Sequence, residues 1–168
     1  MSIGEGMLPE FDREMAGLRK TLERVPEEKF DWQPHAKSTP MGRLAAHLAT
    51  LPSFAVNVIQ KDGYEIAPGG KPPEGPPKLK TTREILETFD AKRDAARAAI
   101  AGASDADLIK PWALTYMGKA IFTMPRAAVL RNMVLNHLIH HRAQLGVYLR
   151  LNDLPVPSLY GPSADEPM

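Results

Sequence analysis

Apolar positions recur at steps of three and four along four stretches of this chain, and prolines separate the stretches. The first carries Leu8, Phe11, Met15, Leu18, Leu22 and Val25, and Pro26 follows it. At about 100° per residue this spacing gathers all six side chains on one face, which predicts an amphipathic helix. The second stretch places Thr39 as an N-cap and Pro40 at the first helical position, with a stripe of Leu44, His47, Leu51, Ala55 and Val58. Pro52 lies inside it and has no N–H for the carbonyl of Leu48, so a kink is predicted there. The third opens on Thr81-Thr-Arg-Glu84, the pattern of a capping box, and continues through Ile85, Phe89, Ala96 and Ile100. The fourth runs from Pro125 to about Asn152, where Pro155 and Pro157 prevent its extension.

The segments between these helices differ in kind. From Asp62 to Lys80 the chain is rich in Gly and Pro, which predicts an extended crossover or loop. Residues 105–122 contain Trp112-Ala-Leu-Thr-Tyr-Met-Gly-Lys-Ala-Ile-Phe122, two short extended pieces around Gly118 that read as a small hairpin. The expected fold class is therefore all-α. It is a four-helix bundle with a long crossover between helices two and three and a small β-hairpin before helix four. A length of 168 residues suits a single domain, residues 1–168.

Charge and composition narrow the function. Lys and Arg total 21 against 20 acids, a net charge of +1, so the basic stripe expected of a nucleic-acid binder is missing. There is no cysteine, which fits a cytoplasmic setting and removes thiolate ligands and a cysteine nucleophile. Neither a signal peptide nor an apolar run of about 18 residues is evident, so the chain is expected to be soluble, cytoplasmic and free of membrane spans.

The chemistry concentrates in histidine. His137 and His141 stand four apart in the fourth stretch, on a stripe with Leu130, Val134, Leu145 and Tyr148, so both rings can point the same way. His47 lies on the stripe of the second stretch. Buried imidazoles need partners, because an unpaired buried polar group costs roughly 1–3 kcal/mol. One divalent transition metal (zinc, nickel, manganese, iron or copper) would satisfy all three rings and leave a coordination position open. The plain alternative is that each ring bonds a neighbour or faces water. His140 also competes, since spacing permits His137 with His140 instead of His141. The stripe of His141 is the more consistently apolar, which makes His140 a pocket residue or a support to the ligands. Arg142 and Gln144 could orient a ligand or a carbonyl, or act between helices. Trp32, Pro34, His35 and Lys37 read as an ordered loop over one bundle end, and Trp112 and Tyr116 as pocket wall or core. Leu135, Leu138, Ile139 and Leu149 form a second apolar face that packs either inside the chain or on another subunit.

Four motifs then carry a resemblance: Trp32-Gln-Pro-His-Ala-Lys-Ser38, Met41-Gly-Arg-Leu-Ala-Ala-His47, His137-Leu-Ile-His-His-Arg-Ala-Gln-Leu-Gly-Val-Tyr-Leu149 and Tyr160-Gly-Pro-Ser-Ala-Asp-Glu166. The chain resembles the DinB-like (DinB/YfiT) family over nearly its whole length. That resemblance implies a four-helix bundle, usually a homodimer, with a divalent metal on His47, His137 and His141. Many members carry Gly where this chain has Ala143, a change a helix favours. Related families of the same superfamily imply thiol-dependent S-transfer, for which a chain without cysteine needs an external low-molecular-weight thiol. Metal-assisted hydrolysis is the other enzymatic expectation. A non-catalytic metal-binding bundle and a dimeric interaction module stand as alternatives, and nucleic acid is not an expected partner.

Overall fold

In the computed structural model, which describes residues 1–71 and 75–167, Ser2 starts the first helix. Its hydroxyl accepts from the Glu5 amide while the Glu5 carboxylate accepts from the Ser2 amide. This reciprocal cap satisfies two amides that the helix itself leaves bare. Helix α1 then spans Ile3–Leu22 and contains Pro9. Gly4 permits its approach to the helix it packs on, since a Cβ there would lie 2.6 Å from the carbonyl oxygen of Ile100.

Pro52 does more than kink the second stretch. The chain forms α2 (Met41–Thr50), turns at Leu51 and Pro52, and forms α3 (Ser53–Gln60). Two hydroxyls add bonds to backbone carbonyls near the break: Thr50 donates to Ala46 and His47, and Ser53 donates to Thr50. Pro40 precedes α2 as its N-cap rather than opening it, so Thr39 is not the cap. Helix α4 (Thr82–Gly102) begins where expected, with the Thr81 hydroxyl accepting from the Glu84 amide at 3.1 Å.

The all-α expectation is corrected by a three-stranded sheet. Strand β1 (Gly63–Glu65) lies in the segment expected to be loop and pairs in parallel with β2 (Pro111–Tyr116). Strand β2 turns through Met117 and Gly118 into β3 (Lys119–Pro125), the hairpin read from the sequence. Both turn residues have positive φ, 50° and 74°. The Glu65 carboxylate accepts from the Ala67, Met117 and Gly118 amides at 2.9 Å each, which fixes the strained turn against β1. A single helical turn, α5 (Asp105–Leu108), precedes β2. Pro72, Pro73 and Glu74 of the expected crossover lie outside the described residues.

The fourth stretch is helical throughout but not uniform. It comprises α6 (Arg126–Val129), a π-helical segment (Leu130–Asn136) and α7 (His137–Arg150). The wider π turns pass an extra residue across each face, and Leu130, Val134, Leu135 and Leu138 are all buried. Leu149 is buried as well, so most of the second apolar face packs within the chain. The core joins α1, α2, α4 and α7 through residues such as Phe11, Leu18, Leu48, Phe89 and Leu145. Helices α1 and α2 each pack against both α4 and α7. Among the described residues no helix is long and apolar enough to cross a membrane.

Candidate metal centre

Helix α2 packs against α7, and the two bring His47, His137 and His141 together. One ring nitrogen from each lies within 4.8 Å of the others. His137 Nε2 stands 2.8 Å from His141 Nε2 and 3.4 Å from His47 Nε2. His140 is exposed and touches only the outer side of this group, its ring centroid 4.9 Å from that of His141. His35 stays at the surface, where its Nδ1 accepts from the Lys37 amide at 3.1 Å.

The remaining ring nitrogens explain why Nε2 faces inward. Gln144 Oε1 can only accept, so the 2.7 Å contact to His141 Nδ1 places the proton on Nδ1. The Met133 carbonyl beside His137 opposes the lowering of that ring's pKa. With its proton on Nδ1, His141 turns a lone pair on Nε2 toward His137 Nε2, 2.8 Å away. A cation between the rings would draw both nitrogens inward.

Burial first, and then the nearby His141 and His137 rings as potential cations, push the His47 pKa down to about 4. The His137 pKa is also lowered, first by burial and then by His141, with the Met133 bond opposing. Proton uptake by His47 and His137 is thus disfavoured, and neutral imidazole nitrogen is the donor that zinc and its neighbours take. Tetrahedral sites with bonds of about 2 Å place ligand nitrogens roughly 3.3 Å apart, close to the His47–His137 separation. The three-histidine group fits a divalent ion.

A cleft of about 410 Å³ opens beside the group, with His47 and His137 in its wall. Trp112 does not line it. That ring is fully buried and meets Phe54 edge to face at 5.6 Å, while Tyr116 is exposed near the end of the hairpin. Trp32 packs edge to face on Tyr148, with centroids 5.5 Å apart.

Arg142 turns away from the histidines into a closed polar cluster. Its side chain is 3% exposed, and that of Glu14 is 1% exposed. One guanidinium nitrogen donates to the Glu14 backbone carbonyl at 3.0 Å. The other donates to the Glu14 carboxylate at 2.7 Å and to the Tyr160 hydroxyl at 2.6 Å. Tyr160 donates in turn to Glu14 at 2.6 Å. Burial raises the Glu14 pKa, but Tyr160 and Arg142 together outweigh it and hold the carboxyl below its usual range. Gly17 makes the room, since a Cβ there would lie 2.9 Å from the Arg142 guanidinium. Glu14 was not singled out from the sequence, and Tyr160 entered only as the first residue of the motif Tyr160-Gly-Pro-Ser-Ala-Asp-Glu166, with no role given to it. The signal for Glu14 was an acid one position before Met15, three after Phe11, on the buried face of α1.

A family model for the DinB superfamily matches residues 10–145, and the chain belongs to that superfamily. Among solved structures, a DinB-like protein from Bacillus cereus ATCC 10987 superposes with a TM-score of 0.70 at 24% identity, over 93% of this chain and 97% of that one. A second DinB-like protein, YjoA from Bacillus subtilis, gives a TM-score of 0.68 at 18% identity, over 90% and 96% of the two chains. At these identities the likeness establishes the fold. No curated protein matches the chain.

Proposed function

We propose that this protein is a metal-dependent enzyme that holds a divalent transition ion on His47, His137 and His141 and catalyses thiol-dependent S-transfer or hydrolysis. The observation that carries the reading is three ring nitrogens converging at the wall of a cleft. A structural site surrounds its ion with protein ligands, whereas a catalytic one keeps a position that a small molecule can reach. In this reading α1, α2 with α3, α4, and α6 through α7 are the four members of a helical bundle. The packing of α1 and α2 each against α4 and α7 supports that arrangement.

The bound ion would supply Lewis acidity and ease proton loss from a water or thiol beside it. The chain's own residues do the rest. Burial holds His47 and His137 toward the neutral form, and Gln144 holds the His141 ring in the orientation that points Nε2 inward. With no cysteine in the chain, the thiol of an S-transfer comes from a low-molecular-weight cosubstrate.

Elemental analysis of untagged protein tests this. About one ion per chain is expected in the wild type and in His140→Ala, with loss in His47→Ala and His141→Ala. Protein that takes up no metal after incubation with zinc, nickel or manganese would overturn the reading and leave an interaction module.

A further inference from the structure

The cleft beside the histidines has a chemical character of its own. Phe54 and Tyr64 meet edge to face at 5.7 Å, and Phe54 is backed by the buried ring of Trp112, so the aromatic wall is held rigidly. Tyr64 keeps 40% of its surface exposed along that wall. Met133 and Pro77 add apolar surface. Besides the histidines, the polar side-chain groups are the Tyr64 hydroxyl and the hydroxyls of Thr50 and Ser53, the last two with their hydrogens already donated to backbone carbonyls. What Thr50 and Ser53 offer the cleft is therefore acceptor oxygen. Among the described residues that line it, none is an acid, a lysine or an arginine.

We infer that this cleft binds a ligand with an uncharged aromatic body whose far end carries a metal-binding head group. The inference rests on the metal centre proposed above and names the class of substrate it would take. An apolar, aromatic-walled cleft of about 410 Å³ has room for a ring and its substituents, and the histidine edge sets which end points inward. A second ionic group on the ligand would have to shed water against described lining residues that offer no counter-charge, so peptide-like anionic thiols are disfavoured.

Hydroxamates separate the two ends, because acetohydroxamate and benzohydroxamate share one head group and differ in the ring. Zinc-loaded protein is first assayed for metal content, and then both compounds and 4-carboxybenzohydroxamate are titrated by calorimetry. Benzohydroxamate is expected to bind about tenfold or more tightly than acetohydroxamate, from the ring surface buried. The added carboxylate should cancel most of that gain. Tyr64→Ala, at a partly exposed ring, should reduce the ratio at least about threefold and leave acetohydroxamate unchanged. Phe54→Ala should do the same more strongly if it folds. Equal affinities for the two simple hydroxamates, or a preference for the carboxylate, in protein that holds zinc would overturn the aromatic cleft while the metal centre stands. Protein that holds no zinc overturns both, and the metal assay identifies that case.

Discussion

His141 and Arg142 are neighbours on α7, yet they anchor two polar clusters built on opposite principles. Around Arg142 the cluster is closed: a cation, a carboxylate and a phenol saturate one another within 2.6–3.0 Å, and the two charged side chains are almost wholly buried. Around His141 the outer nitrogen is satisfied by Gln144, but the inner one converges with the Nε2 atoms of His137 and His47 on one point beside a cleft. Polar groups drawn out of water without full partners are expensive, and a bound cation would offset that cost for three converging nitrogens. The closed cluster holds the C-terminal segment onto α1, with Glu166 paired to Arg24 and Asp165 to Arg150. The open one, set beside a cleft, is where chemistry can enter.

The largest effect expected from breaking this contrast lies on the closed side. Arg142→Ala strands the Glu14 carboxylate in the core, and removing one member of a buried pair costs about 3–5 kcal/mol. Denaturant unfolding measures this as a fall in midpoint. The double variant Glu14→Leu with Arg142→Met, apolar at both ends, should recover most of the loss. If Arg142→Ala alone costs less than about 1 kcal/mol, the cluster is not the closed structural device described.

Next comes the open side. Gln144→Leu removes the acceptor that fixes the His141 proton on Nδ1, and loss of such a supporting bond typically weakens metal binding about 10–100-fold. The same variant should melt within about 0.5 kcal/mol of wild type in the metal-free form, because Gln144 is exposed. A chelator competition gives the affinity, and unchanged affinity would mean that the tautomer of His141 is set elsewhere.

How far the contrast was legible in the sequence follows from distance along the chain. The apolar stripes are local repeats, so Phe11, Met15, Leu18 and Leu22 declared their face, and Pro52 declared a break. The histidines were legible because His137 and His141 share a helix face and His47 lies on another stripe. The rest depended on partners far away. Arg142 meets Glu14 from 128 residues off, and Tyr160 meets it from 146, so nothing nearby marks either as part of a cluster. Strand β1 has three residues in a Gly- and Pro-rich stretch and exists only because β2 pairs with it about fifty residues later. The start of α1 was hidden by Gly4, Gly6 and Pro9, all poor helix formers, although Ser2 and Glu5 carried the capping signature. The π turns before His137 leave no sequence mark that we can name.

A pH titration sharpens the contrast more gently. In the metal-free protein His47 stays neutral until about pH 4, whereas in the unfolded chain it takes a proton near its ordinary 6.5. Between those values the unfolded state binds more protons, so stability rises with pH across the window and falls as pH is lowered through it. Above 6.5 both states are neutral and the contribution is flat. His137 acts with the same sign. Glu14, whose carboxyl is held below its usual 4.5, also loses stabilisation in acid, but only below that value. Melts between pH 6.5 and 5 therefore report the histidines, and His47→Leu should flatten the slope there without altering the acid limb. A slope that His47→Leu leaves untouched would mean that the ring is protonated in the folded protein.

The smallest change separates the clusters most cleanly. Tyr160→Phe keeps the ring that the Arg142 guanidinium faces at 5.3 Å but deletes the hydroxyl shared by Glu14 and Arg142. Because those two remain bonded to each other at 2.7 Å, no buried charge is stranded, and the loss should be about 1 kcal/mol. The hydroxyl also helps to hold the Glu14 carboxyl low, so the acid limb, which begins near the ordinary 4.5 in both proteins, should be shallower in the variant. Metal content and affinity should match wild type, since the histidines face away from this cluster. A Tyr160→Phe protein that bound metal less well would show that the two clusters are coupled through α7, and that the closed one also serves to position His141.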